Sequence, residues 1–185
     1  MVSLQPPICD FGWKAVDFSL KGVDDKTYSL ADVTGENGVL VMFICNHCPY
    51  VKAILDRLVR DVGELQQKGI GAIAVMTNDQ EEYPEDSFDN MVKVARDNAF
   101  PFPYVVDHTQ QVGRAYGAVC TPDFFGFNAD LELQYRGRLD SSAKQPAGPD
   151  SRRELFEAMS LIAETGNGPR QQTRSMGCSI KWRRG

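Results

Sequence analysis

No stretch of this chain approaches the roughly 18 consecutive apolar residues that cross a bilayer. Its opening, Met1-Val-Ser-Leu-Gln-Pro-Pro-Ile-Cys-Asp10, has neither the basic segment nor the long apolar segment of a secretory signal. The expectation is a cytoplasmic protein without a membrane partner. Positive charge is also short: 25 acidic residues against 20 basic ones leave a net charge of -5. Phosphate neutralisation needs a concentrated basic face, so no nucleic-acid partner is expected. The basic cluster that does exist, Arg170, Arg174, Lys181, Arg183 and Arg184, reads as a solvated tail. Repeats and low-complexity bias are missing as well, and a hydrophobic share of 42% with 24% charged residues belongs to an ordinary globular protein. The 185 residues suit one domain, because either half alone would bury too little surface. It divides into an N-terminal extension with a hairpin (1–35), a core (36–165) and a C-terminal tail (166–185).

What is present begins with five cysteines: Cys9, Cys45, Cys48, Cys120 and Cys178. They are too few and too unevenly spaced for a secreted disulfide scaffold, and in a reducing compartment a close pair is catalytic or metal-binding. The close pair is Cys45-Asn46-His47-Cys48, followed by Pro49.

The flanking sequence alternates sheet and helix signals. Phe18, Leu20 and Tyr28, Leu30 bracket a polar turn and predict a hairpin added to the core. Gly38–Ile44 is a continuous apolar run, as in strands buried on both faces. After Pro49, Val51, Ile54, Leu55, Leu58, Val59, Val62 and Leu65 recur at steps of three and four, which predicts one helix ending at Gly69. Ile70–Met76 is a second buried strand, and a right-handed crossover joins the two. The acidic stretch from Asp79 to Asp89 reads as a solvated loop and helix start. Next come a helix around Phe88, Met91, Val92 and Ala95, strand 104–106, a short helix at 109–116, and an antiparallel pair at 124–127 and 131–136. Ser151 and Glu154 form a capping box for a last helix that Gly166 ends. The order predicts an α/β fold, a mixed sheet between helix layers.

The pair falls where the buried strand gives way to the helix. A thiol there lies near unpaired N–H groups and the positive end of the helix dipole, both of which favour thiolate. A free thiol of pKa about 8.5 is only roughly 3% thiolate at neutral pH, so such a site changes reactivity greatly. Cys45 is the expected nucleophile, and Cys48, one turn inward, the resolving thiol. His47 adds a candidate cation that stabilises the thiolate and makes the disulfide more oxidising. The pair could instead be half of a metal site completed by Cys120, Cys178 or His108. With no second Cys-x-x-Cys, and with Pro49 opening the helix, redox chemistry is favoured over metal. The pair is then its own redox group and needs no cofactor.

Taken together, Asp17-Phe-Ser-Leu20, Val41-Met-Phe-Ile-Cys-Asn-His-Cys-Pro-Tyr-Val51, Thr121-Pro-Asp-Phe-Phe125, Tyr135-Arg-Gly-Arg-Leu-Asp140 and Gly177-Cys-Ser-Ile-Lys-Trp182 resemble the thioredoxin superfamily. The similarity is to the peroxiredoxin-like branch of the alkyl hydroperoxide reductase/thiol-specific antioxidant family. It implies a thioredoxin-like three-layer sandwich and an antioxidant or thiol-redox role. It also implies that Thr121-Pro122 lies opposite the cysteines, with Pro122 cis and the Thr121 backbone pairing with an extended substrate. Read without the resemblance, Pro122 is a trans proline opening a strand. Peroxiredoxins use Pro-x-x-x-Thr-x-x-Cys and a distant arginine; here Val41 and Cys45 stand at the Pro and Thr positions when their Cys is aligned on Cys48. Arg114, Arg136 and Arg138 are the candidates for that arginine, each more simply a surface charge. The buried acid that thioredoxins keep behind the pair is replaced by Val39. Cys120 reads as core packing and Cys178 as a candidate third redox cysteine carried on a tail with apolar anchors; Cys9 reads as incidental. The expected activity is thiol-disulfide exchange with a protein or small-molecule disulfide, electrons coming from another thiol protein or glutathione. Peroxide reduction and a redox-sensing adaptor without turnover are the alternatives.

Overall fold

The computed structural model describes residues 2–185. The chain opens with β1 (Ser3–Leu4), the hairpin of β2 (Ser19–Gly22) and β3 (Thr27–Ser29), and the single turn α1 (Leu30–Val33). Then β4 (Gly38–Phe43) leads past the two cysteines into α2 (Pro49–Lys52) and α3 (Leu55–Gln66), and β5 (Ile70–Met76) follows. A 3-10 turn (Pro84–Asp86) precedes α4 (Phe88–Asp97), β6 (Tyr104–Val106) and α5 (Gln111–Tyr116). After these come β7 (Cys120–Thr121), β8 (Asp123–Asn128), β9 (Leu133–Tyr135), α6 (Glu154–Thr165) and β10 (Gly177–Ser179).

The main sheet is mixed and has seven strands. It runs β3-β2-β6-β5 and, beside β5, β4-β8-β9; the Ile44 N–H donates to Val75 O at 3.1 Å across the β4–β5 junction. β5 and β6 are parallel, whereas β4–β8, β8–β9 and β2–β6 are antiparallel. β4 explains why an apolar run without alternation is a strand here: its side chains alternate between two apolar layers. Leu40, Met42 and Ile44 pack with α3, α4 and α6 on one face, and Val39, Val41 and Phe43 pack with α1 and α5 on the other. The result is the expected thioredoxin-like sandwich.

Four local expectations are corrected. The N-terminal hairpin is part of the sheet, because Lys21 and Gly22 pair with Val106 and Val105. The helix after Pro49 breaks at Ala53–Ile54, where the Ile54 N–H donates to Val51 O, three residues back, and the Arg57 guanidinium takes Ala53 O. The capping box at Ser151 does not form. Its hydroxyl instead meets Ser142 Oγ at 2.6 Å and accepts from the Gly148 N–H, and α6 starts after Arg153 without a side-chain cap. The tail is not solvated. Ser175, Cys178 and Ile180 are buried, and β10 lies between β1 and β7 in a small antiparallel sheet. Arg183 pairs with Asp79 and Arg184 with Glu82, so two of the five residues of the basic cluster answer the acidic stretch. Among the described residues no helix is long and apolar enough to cross a membrane.

Candidate active site

β4 ends two residues before Cys45, and Cys48 is the residue from which α2 starts, with Pro49 in its first turn. Pro49 costs nothing there, since its missing N–H would have no partner in a first turn. Both thiols are buried, Cys45 2% exposed and Cys48 fully enclosed. Each sulfur touches Thr121: Cys45 Sγ lies 3.4 Å from its hydroxyl and Cys48 Sγ 3.1 Å from its carbonyl. The Thr121–Pro122 peptide bond is cis, and β4 and β8, paired from Gly38↔Asn128 to Phe43↔Asp123, hold that loop against the cysteines.

The segment between the cysteines is pinned by a residue of the acidic stretch, where a solvated loop is expected. Asp86 is fully buried. Its Oδ1 accepts from the Asn46 N–H at 2.8 Å and the His47 N–H at 3.3 Å; its Oδ2 accepts from His47 Nδ1 at 2.7 Å and Asn78 Nδ2 at 2.9 Å. Four donors fill the four acceptor sites of a carboxylate. Asn46 adds a bond from Nδ2 to Glu85 O and accepts from the buried Tyr104 hydroxyl at 2.8 Å. The His47 ring stacks on Tyr83, with centroids 5.8 Å apart and planes 5° from parallel. Polarity alone assigned this acidic segment to solvent. What could have flagged it is Tyr83-Pro84, a turn signal beside an aromatic, just ahead of the Ser87 helix cap.

The Thr121 edge, expected to be open to an extended substrate, is occupied by the chain itself. Cys178 pairs with Thr121 and Ser179 with Cys120, and on the other side of β10 Cys178 pairs with Ser3. The pairing brings Cys178 Sγ to 3.0 Å from Cys48 Sγ.

These surroundings divide the thiols. The neighbouring Cys45 thiol lowers Cys48 to about 4; burial opposes this, and Cys178 and Thr121 add to it. Cys45 is held well above the ordinary thiol value by its interaction with Cys48, then by burial and the negative charge of Asp86. The same contact thus pushes the two thiols in opposite directions, Cys48 down and Cys45 up. The dipole argument also weakens, because α2 is one turn long before the chain breaks. Burial pushes Cys178 up to about 12, and its sulfur faces Cys48 Sγ at 3.0 Å. Cys48 itself has one proton to give: as a thiol it can serve Thr121 O, as a thiolate it accepts from its two sulfur neighbours.

Cys120 is enclosed, its sulfur 3.5 Å from Pro122 O, and burial drives its pKa far upward. Cys9 is half-buried and pushed up to about 11 by burial. His108 is exposed. Among the described residues, the group with three potential metal-ligand atoms mutually within 4.8 Å is Cys45, His47 and Asp86, a different set from the one considered on sequence. A cation there would have to displace at least one of the four donors on Asp86.

The AhpC/TSA family model matches residues 11–136, well over half of the chain. The protein belongs to the AhpC/TSA family. Members of that family are oxidoreductases. No curated protein matches the chain. Among solved structures it is similar to an uncharacterized conserved protein from Geobacillus kaustophilus, at 41% identity over 100% of this chain and 98% of that one, with a TM-score of 0.93. It is also similar to a hypothetical protein from Sinorhizobium meliloti, at 30% identity over 100% of both chains, with a TM-score of 0.90. A putative thiol:disulfide interchange protein DsbE from Chlorobium tepidum shares the fold, at 22% identity over 83% of this chain and 97% of that one, with a TM-score of 0.62.

This AhpC/TSA member has its three candidate arginines already engaged. Arg136 is not a surface charge: it is buried, donates to both oxygens of Asp123 at 3.3 and 3.0 Å, and lies 4.3 Å over the Phe125 ring. Arg138 pairs with Glu154 at 2.6 Å, and Arg114 stacks 4.4 Å over Trp182.

Proposed function

We propose that this AhpC/TSA member is a thiol-disulfide oxidoreductase that cycles Cys45 and Cys48 between dithiol and disulfide. The observation that carries the reading is the pair itself: two thiols at one strand-helix junction, both against Thr121 of a cis Thr-Pro turn. Cys45, the thiol beside His47 and Asp86, meets the substrate after passing its proton to Cys48. It attacks one sulfur of a substrate disulfide, forming a mixed disulfide and releasing the first substrate thiolate. Cys48 then loses its proton and attacks Cys45 Sγ. The Cys45–Cys48 bond forms, the mixed bond breaks, and the second substrate thiolate takes a proton. Two electrons leave the protein for the substrate, whose two thiolates take one proton from Cys48 and one from solvent, and an external thiol restores the dithiol. His47, oriented by Asp86 beside Cys45, handles the proton at that sulfur. With Arg114, Arg136 and Arg138 all engaged, none of these three is free to polarise a peroxide, and disulfide exchange is preferred to peroxidase chemistry.

The test is reduction of insulin disulfides with a thiol donor. The reading expects activity that Cys45→Ser and Cys48→Ser each abolish; an inactive wild type that instead consumes hydrogen peroxide with the same donor would overturn it.

A further inference from the structure

We propose that Cys178 is a third redox thiol and that β10 is a built-in partner strand, so that oxidation captured at Cys45 and Cys48 moves inward to a Cys48–Cys178 disulfide. The placement in turnover rests on the dithiol reading above. The geometry stands apart from it.

Three observations converge on this. Cys178 Sγ and Cys48 Sγ are 3.0 Å apart although 130 residues separate them. The strand that carries Cys178 pairs with Thr121, the edge at which an extended disulfide substrate would dock in this fold, so the tail sits where a client strand belongs. The approach is also built for closeness. A Cβ on Gly177 would fall 2.0 Å from Thr121 O and 3.0 Å from the Pro122 nitrogen; with any other residue there, β10 could not come this near.

The tail is tied down around the thiol. Ser175 Oγ donates to Pro122 O at 2.8 Å, the Ser179 N–H to Val2 O at 3.0 Å and the Ile180 N–H to Val119 O at 3.2 Å. The Lys181 N–H donates to Asn78 Oδ1 at 2.9 Å, on the same Asn78 side chain that donates to Asp86. Such anchoring holds Cys178 at a high effective concentration over Cys48, which a solvated tail would not.

The step is an internal exchange and needs no outside oxidant or reductant. Starting from the Cys45–Cys48 disulfide, the Cys178 sulfur attacks Cys48 Sγ. The Cys48–Cys178 bond forms as the Cys45–Cys48 bond breaks, and the electron pair of the broken bond leaves on Cys45. The proton lost by Cys178 is balanced by one gained at Cys45 Sγ, next to the His47–Asp86 pair. Cys45 is a thiol again, and the oxidising equivalent waits on the tail side until an external thiol reduces it. Substrate and electron donor thus meet different sulfurs.

The experiment oxidises the full chain with oxidised glutathione, blocks remaining thiols with an alkylating mass tag under acid, and maps disulfide peptides without reduction. Wild type is expected to give both Cys45–Cys48 and Cys48–Cys178 peptides, and Cys45→Ser to give Cys48–Cys178 as its main internal disulfide. Gly177→Ala, which forces β10 off Thr121, is expected to lower the Cys48–Cys178 yield by about tenfold while the Cys45–Cys48 peptide persists. Cys178 fully alkylated in both wild type and Cys45→Ser overturns the proposal. Insulin reduction measured alongside separates the two readings. Activity with Cys178 free at every stage sinks the relay alone; a Cys48–Cys178 bond in a chain that reduces no insulin sinks the dithiol reading alone.

Discussion

Cys45 and Cys48 are three residues apart and live in different surroundings. Around Cys45 the wall is polar and carries a charge: Asp86 with its four donors, His47 stacked on Tyr83, Asn46 tied to Tyr104. Around Cys48 the wall is sulfur and backbone: Cys178, the Thr121 carbonyl and the first turn of α2. Negative charge beside Cys45 helps to raise that thiol, while the sulfur neighbours of Cys48 lower it. Two chemically identical side chains are made unequal by what the distant chain brings to each.

The largest effects should come from removing one member of the pair. Cys48→Ala should stall with a mixed disulfide on Cys45, seen as a stable adduct by mass; an adduct that instead accumulates on Cys48 in Cys45→Ala would reverse the assigned roles. Next is the polar wall. Asp86→Ala strands the Asn46 and His47 backbone donors and the Asn78 amide, and should cost about 3–5 kcal/mol of unfolding free energy in urea. A loss within about 0.5 kcal/mol, the size of an ordinary surface change, would mean that this wall is not structural.

A titration sharpens the comparison further. Thiolate absorption in the ultraviolet should appear with a midpoint near 4 in wild type, vanish in Cys48→Ser and move upward in Cys45→Ser, which removes the thiol that lowers Cys48 most. The folded Cys48 value lies below that of the unfolded thiol. Its ionisation therefore contributes stability that is fully present above the unfolded pKa and is lost as pH falls through about 4. Urea midpoints across that range should fall with pH more steeply in wild type than in Cys48→Ser. The smallest effect is expected at His47. Because Asp86 offsets any charge on the ring, His47→Ala should make the pair more reducing by only on the order of 30 mV in a glutathione titration; an unchanged potential would remove His47 from the tuning of the pair.

Much of this architecture is written in local pattern. The buried runs at β4 and β5, the spacing Cys45-x-x-Cys48-Pro49 and the Thr121-Pro122 pair announce the sandwich and where its reactive edge lies, since each follows from side-chain period, turn chemistry or helix-start chemistry within a dozen residues. The polar wall was not legible, because a buried aspartate in an acidic stretch looks like any solvated one until its donors are known. Nor was β10: three residues, Gly177–Ser179, have no period of their own, and they become a strand only because β1 and β7 offer edges on both sides. The helix break at Ala53–Ile54 is invisible for a related reason, since the apolar stripe continues across it and the Arg57 guanidinium that takes Ala53 O also reaches Asp140 at 2.6 Å.

The 130 residues between Cys48 and Cys178 are also an interval of time. A chain made at roughly 5–20 residues per second holds Cys45 and Cys48 for about 7–26 seconds before Cys178 has been added. During that interval Cys48 has no Cys178 to pair with, and a client strand would find the Thr121 edge bare once β7 has formed. The three-sulfur site is thus a property of the finished chain, closed by one of its last strands.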